Sequence, residues 1–167
     1  QRMGARYFLT YGHDPLKRYV LVAYDTVKNA PQVLAYIQKA DDVLRVMGLT
    51  EHNMTHVTGV AQKAGEILAA LGCSEHDAEL ARIAGFLHDI GNVVNRADHA
   101  QSGAVMAFRI LDQLGMAPED IATIISAIGN HDEATACPVS PIAAALILAD
   151  KSDVRRTRVR NCDRSEE

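Results

Sequence analysis

The sequence predicts a single all-α domain, a bundle of about six main helices behind a short N-terminal extension. Three observations predict it. Apolar residues recur at helical spacing through most of the chain. Glycines and prolines punctuate that pattern at intervals of one helix length. Strand-like character is confined to one short run, YVLVAY. The chain has 167 residues, 48% apolar and 23% charged, which suits one sizeable core and not a disordered chain.

The elements follow in order. Residues 1–25 are expected to form a looser extension, in which Tyr19 to Tyr24 reads equally well as a strand or a short helix. From Pro31 to Met47, the residues Val33, Leu34, Ile37, Ala40, Val43, Leu44 and Met47 form one stripe, and Gly48 stops that helix. A second helix spans about Met54 to Leu71 and ends at Gly72. Ser74 opens a third, with Asp77 in a near-capping-box position, and it runs to Gly91. Asp98 can cap a fourth, which stops at Gly115. Pro118 suits the first turn of a fifth, with Glu119 and Asp120 at its positive end. Ser140 and Pro141 start a sixth, which reads on into the arginine cluster. The domain is expected over residues 26–160, with a polar tail at 161–167.

The net charge of −4 and the scarcity of interleaved aromatics argue against nucleic acid as a partner. The one basic cluster, Arg155, Arg156, Arg158 and Arg160, reads as a solvated face. Cys73, Cys137 and Cys162 are far apart and form no CxxC pair, the usage of free thiols in a reducing compartment. No apolar run approaches the roughly 20 residues of a membrane span, and the start lacks the apolar core of a signal peptide. The expectation is a cytoplasmic protein without a membrane partner.

Chemistry concentrates in the histidines. Of seven, His13 and His76 lack motif context and read as solvated; His52, one turn before His56, has the position to line a pocket mouth but reads as a surface residue. The other four sit at helix ends. His56 lies in the first turn of the second helix and His99 in that of the fourth. His88 and Asp89 end the third, and His131 ends the fifth. Asp150 follows the apolar run AAALILA in the sixth. A carboxylate so close to a core needs a cation or a partner. In a compact bundle such positions can converge on one pocket, and four imidazoles with two carboxylates suit a divalent transition metal.

In that order, His56, His88-Asp89, His99, His131 and Asp150, the chain resembles the HD-domain metal-dependent phosphohydrolases. The contexts HVTGVAQKAGEIL, AGFLHDIGN, DHAQSGAVMAFRIL, IGNHDE and LILADKSD carry the resemblance from about His52 to Arg160. An isolated His-Asp pair carries little information, since His13-Asp14 is one too; the ordered set is specific. The resemblance implies that His56, His88, Asp89 and Asp150 hold one metal, that His99 and His131 hold a second, and that Asp89 bridges them. It implies iron or manganese, with zinc, cobalt, nickel or magnesium also compatible. Its chemistry is a metal-activated hydroxide attacking phosphorus in line, with His88 and Asp89 at the catalytic centre. The implied substrate is a phosphate mono- or diester of a nucleotide or small metabolite.

Asn92, Arg96, Lys151 and Arg155 are the candidate substrate-binding residues, with Lys151 and Arg155 on one helix face. Asp153 reads as a structural partner of Lys151 or Arg156. Many two-metal members carry lysine in the pattern HDIGK, where this chain has Asn92. The HHE and GYP signatures of the cyclic-dinucleotide branch are absent, and Asp132 stands where that branch has histidine. Two rivals keep the fold: a di-iron oxygenase, whose ligand set is similar, and a non-catalytic nucleotide-sensing module. A homodimer is compatible with all three.

Overall fold

The computed structural model describes Phe8–Leu9 and residues 19–155. His13, Arg156, Arg158, Arg160 and Cys162 lie outside the described residues. Among those described, the architecture is all-α. The helices are α1 (Tyr24–Lys28), α2 (Pro31–Val46), α3 (Met54–Ala70), α4 (Glu75–Leu87), α5 (His99–Gln113), α6 (Pro118–Gly129) and α7 (Pro141–Lys151). A 3-10 turn, Ile90–Val93, links α4 to α5.

Capping chemistry sets most of the boundaries. Asn53 accepts from the backbone N–H of Thr55 and His56, which starts α3 one turn ahead of its first buried imidazole. Ser74 and Asp77 form a complete capping box at the start of α4. Pro141 opens α7, with Ser140 accepting from the N–H of Ala143.

Four expectations need correction. The run YVLVAY divides, so that Tyr19–Val20 pairs antiparallel with Phe8–Leu9 while Tyr24 begins α1. The third helix ends at Leu87, and the chain tightens into the 3-10 turn. Asp98 precedes α5 in the left-handed conformation (φ 56°) and makes no side-chain cap. A short carboxylate side chain tolerates that backbone better than most. The sixth helix stops at Lys151 rather than continuing into the arginines. The stripe on α2 is also narrower than its pattern suggests. Val33, Ile37, Ala40 and Leu44 are buried, while Leu34 and Met47 are exposed.

Helix α4 is the centre of the bundle and packs against α1, α3, α6 and α7. It buries Leu80, Ile83, Phe86 and Leu87 on several sides at once. Its crossing with α3 is close. A Cβ on Gly85 would stand 2.8 Å from Ala61 Cα, so only glycine permits the approach that brings the start of α3 to the end of α4. Val22, Tyr24 and Val27 join the same core, and the Tyr24 ring meets Phe86 edge to face at 5.6 Å. Helices α5 and α6 pack on each other, and α5 also rests on the 3-10 turn. The ends of α4 and α6, the starts of α3 and α5 and the last turns of α7 thereby face one place.

Candidate metal centre

All six expected ligands converge there. His56, His88, Asp89, His99 and His131 are buried, and the Asp150 side chain is 11% exposed. Asp89 is the hub. Its Oδ2 stands 3.0 Å from His88 Nε2 and 3.5 Å from His56 Nε2. Its Oδ1 stands 3.4 Å from His99 Nε2 and 3.9 Å from His131 Nε2. Asp150 Oδ1 lies 3.4 Å from His56 Nε2 and 3.7 Å from His88 Nε2. The two oxygens of Asp89 thus face two separate groups of nitrogens.

A further imidazole joins them. His52, read from sequence as a surface residue, lines the same hollow with its side chain 11% exposed and its Nε2 3.7 Å from Asp89 Oδ2. Its spacing of four from His56 was the one available signal. The five rings meet edge to face in a continuous series, with centroids 4.9 to 5.3 Å apart.

The other ring nitrogen of each histidine explains the arrangement. Nδ1 faces a backbone carbonyl in four of them: Thr50 O for His52, Gly85 O for His88, Arg96 O for His99 and Ile128 O for His131. A carbonyl only accepts, so Nδ1 carries the hydrogen and donates. His56 Nδ1 donates to Asp153 Oδ2 at 2.7 Å. Each neutral ring then presents a lone pair at Nε2 toward a carboxylate that also has only lone pairs to offer. His56 Nε2, His88 Nε2 and Asp89 Oδ2 are buried without a well-formed hydrogen bond. A cation is what relieves such a site, and the donor set of imidazole nitrogen and carboxylate oxygen fits a divalent transition metal. His56, His88 and Asp150 can share an ion, as can His88, Asp89 and His131, or His52, His56 and Asp89.

The rings and carboxylates shift one another's proton affinities. Burial pulls His88 down, but the Asp89 charge, supported by Asp150, overrides it and pushes the ring up to about 10. His56 also rises against its burial, through Asp150 and Asp89. Burial and the neighbouring His88 charge hold His131 down to about 4, and burial lowers His99 despite Asp89. Burial opposes ionisation of Asp89 and Asp150, yet the adjacent histidines hold both well below the usual carboxylate range.

Three of the surrounding assignments change. Asn92, expected to bind substrate, does not line the hollow. The 3-10 turn rotates it inward, where it is fully buried and donates both amide hydrogens to Asp89, at 2.9 Å to the backbone oxygen and 2.9 Å to Oδ1. Lys151 and Arg155 do not share a helix face, because α7 has ended. Arg155 instead grips Asp153 through two bonds of 2.6 and 2.8 Å, outside the hollow. Asp153 is therefore the partner of His56 and Arg155, which hold its carboxyl down, Arg155 first. Arg96 and Lys151 do line the hollow. Arg96 Nη1 lies 3.4 Å from His99 Nε2 and 3.4 Å from Asn92 Oδ1, and Lys151 Nζ lies 3.1 Å from Asp150 Oδ2. His76 is exposed and pairs with Asp120 at 2.8 Å.

Fold and site together define an all-α domain whose helix ends enclose a histidine–aspartate pocket suited to divalent metal. Residues 53–156 match the family model of the HD domain, and the chain belongs to that family. Among solved structures, a protein from an uncultured Thermotogales bacterium, described as a predicted HD superfamily hydrolase, is similar, with TM-score 0.56 and 27% identity. The match covers 72% of this chain and 65% of that one, so this chain spans less than two thirds of its neighbour's length. Among curated proteins there is no significant match.

Proposed function

We propose that the chain is a metal-dependent phosphohydrolase acting on a phosphate mono- or diester of a nucleotide or other small metabolite. The observation that carries this reading is the division of Asp89. Oδ2 faces His56 and His88, with Asp150 beside them, and Oδ1 faces His99 and His131. In this reading His56, His88, Asp89 and Asp150 hold one ion, His99 and His131 help hold a second, and Asp89 bridges. Bound divalent ions supply Lewis acidity and a hydroxide at neutral pH.

The chain's own residues supply the rest. The hollow over Asp89 has a volume of about 230 Å³, which accommodates a phosphoryl group. A second hollow of about 540 Å³ adjoins it and shares Arg96 and Asp132. The phosphoryl group is placed in the first, and the organic remainder in the second. Arg96 and Lys151 stand at the mouth as its cations. Were His99 to hold an ion, the Arg96 guanidinium, a planar donor fork, would be free to meet the phosphoryl oxygens. Asp98, Asp132 and Glu133 make the second hollow acidic, which favours a remainder rich in hydroxyl or amino donors over one with further phosphates.

The test is metal analysis of protein purified without chelators, followed by a panel of phosphorylated metabolites assayed for phosphate release with Mn²⁺, Fe²⁺ or Co²⁺. Release that depends on the ion and is lost in Asp89→Ala and His88→Ala supports the reading. Retention of metal and activity in both variants overturns it. Oxygen consumption by the iron-loaded protein, without phosphate release, assigns the site to a di-iron oxygenase instead.

A further inference from the structure

We infer that His52 is an additional metal ligand of this pocket, delivered by a loop that the chain builds ahead of the family's matched region; the inference rests on the pocket being a metal centre. His52 is one of five imidazoles whose Nε2 faces Asp89, at 3.7 Å from Oδ2. That oxygen is the one that also faces His56 and His88. The His52 and His56 rings stand edge to face with centroids 5.3 Å apart. Ligand atoms of His52, His56 and Asp89 all lie within 4.8 Å of one another, a spread that one ion can draw together.

The loop is built to hold this ring in place. His52 Nδ1 donates to Thr50 O at 2.8 Å, which fixes the tautomer and leaves Nε2 as the ligand nitrogen of the neutral ring. The backbone N–H of His52 donates to Asp41 Oδ1 at 3.1 Å. Asp41 sits on α2, is buried at 4% exposure, and is steadied by Arg45 at 3.3 Å. A buried carboxylate is costly unless its bonds are made, and here one of them is spent on the main chain of a loop. Helix α2 also packs against the 3-10 turn that follows Asp89. Asp41 therefore holds His52 from the same helix that backs the hub of the site. Asp41 and His52 both precede residue 53, where the family match begins.

The imidazole has the wrong surroundings for a surface residue. Its side chain is 11% exposed, and it lines the same hollow as Asp89, His99, His131 and Asp150. Added to His56, His88, Asp89 and Asp150, it raises the ligand count of the first ion from four to five, and so favours a metal that accepts more than tetrahedral coordination.

Titration of the metal-free full chain with Co²⁺, followed by calorimetry and by the visible absorption of the bound ion, tests this. His52→Ala is expected to weaken Co²⁺ binding by at least about tenfold and to shift the absorption toward that of a lower-coordinate ion. His52→Gln, which keeps most of the side-chain volume, should behave alike. Asp41→Asn leaves a weaker, uncharged acceptor for the His52 N–H, acts on His52 only through the loop and should weaken binding by less than the His52 variants. In the Co²⁺-loaded protein, each coordinated imidazole contributes a shifted, exchangeable N–H proton resonance, and His52→Gln should remove one and keep the others. If His88→Ala abolishes binding while both His52 variants bind within twofold of the parent with an unchanged spectrum, His52 is not a ligand and the inference is overturned. If His88→Ala leaves binding unchanged as well, the metal-centre reading falls and takes the inference with it.

Discussion

Replacing Gly91 by alanine should damage the protein more than any other single methyl group added near the site. Gly91 lies in the 3-10 turn directly after His88-Asp89, pressed against the first turn of α5. An ideal Cβ there would meet His99 O at 2.0 Å, Gly103 N at 2.5 Å and Ser102 Oγ at 2.6 Å. Ordinary contact begins near 3.4 Å, so turn and helix must part by about 1.4 Å along the tightest line, far more than a core absorbs without strain. Two of the three opposing atoms are backbone and cannot rotate aside. Overpacking of this kind costs about 1–3 kcal/mol, and the upper end applies. At about 2–4 °C per kcal/mol for a chain of this size, chelator-treated Gly91→Ala should melt roughly 6–12 °C below the parent.

The same displacement carries a functional readout. It moves His99 away from Asp89 Oδ1, while ligand distances in a working metal site are held within about 0.2 Å. On the two-ion reading proposed above, calorimetric titration with Mn²⁺ or Co²⁺ should show the binding event that involves His99 lost or greatly weakened, with the event at His56, His88 and Asp150 less affected. A variant melting within about 1 °C of the parent, with unchanged binding, would refute the close apposition of turn and helix.

Asp153→Asn should weaken metal binding by about 10–100-fold, measured by competition with a chromophoric chelator, because it removes the charge that orients His56 at 2.7 Å. Asn92→Leu should cost about 1–3 kcal/mol in urea unfolding, since it leaves Asp89 without the two donors it receives from the buried amide. The metal-free protein should be most stable near pH 6.5. His88, raised to about 10, contributes stability that is full below its unfolded value of 6.5 and is lost as pH climbs from there toward 10. His131, lowered to about 4, contributes in the opposite sense. The unfolded chain takes up that proton first, so stability falls as pH drops from 6.5 toward 4, with Asp89 and Asp150 adding to the loss at lower pH. With saturating divalent ion the alkaline fall should disappear, because His88 then gives its lone pair to the ion; melting temperature against pH, with and without EDTA, checks both limbs.

The sequence shows the candidate ligands that helices deliver and hides the one that a loop delivers. His56, His88, His99, His131 and Asp150 are legible because caps and apolar periodicity place each at a definable point of a helix, and ends of a bundle meet. His52 is not, because it precedes the Asn53 cap and owes its position to Asp41, eleven residues back on another helix. Asp153 and Arg155 were misplaced for one reason: an apolar helix followed by charged residues gives no sign that it stops at Lys151. Asn92 reads from sequence as a substrate-binding candidate because it stands where HDIGK has lysine; only the tighter 3-10 turn points it beneath Asp89. Asp98 has cap chemistry, and only the left-handed backbone excludes that role.

The carbonyl bonds of the histidines bear on how freely this sequence can drift. His88, His99 and His131 each aim their rings by donating to the carbonyl three residues earlier, and His52 to the carbonyl two earlier. A main-chain acceptor is present whatever side chain stands at that position. Residues 50, 96 and 128 can therefore change without the imidazoles losing direction, and each of these rings arrives already aimed once its own turn has formed. His56 alone among the five is aimed by a side chain, Asp153, from 97 residues away. Its orientation is inherited from tertiary assembly, and of the five it is the one that a substitution elsewhere in the chain can turn aside.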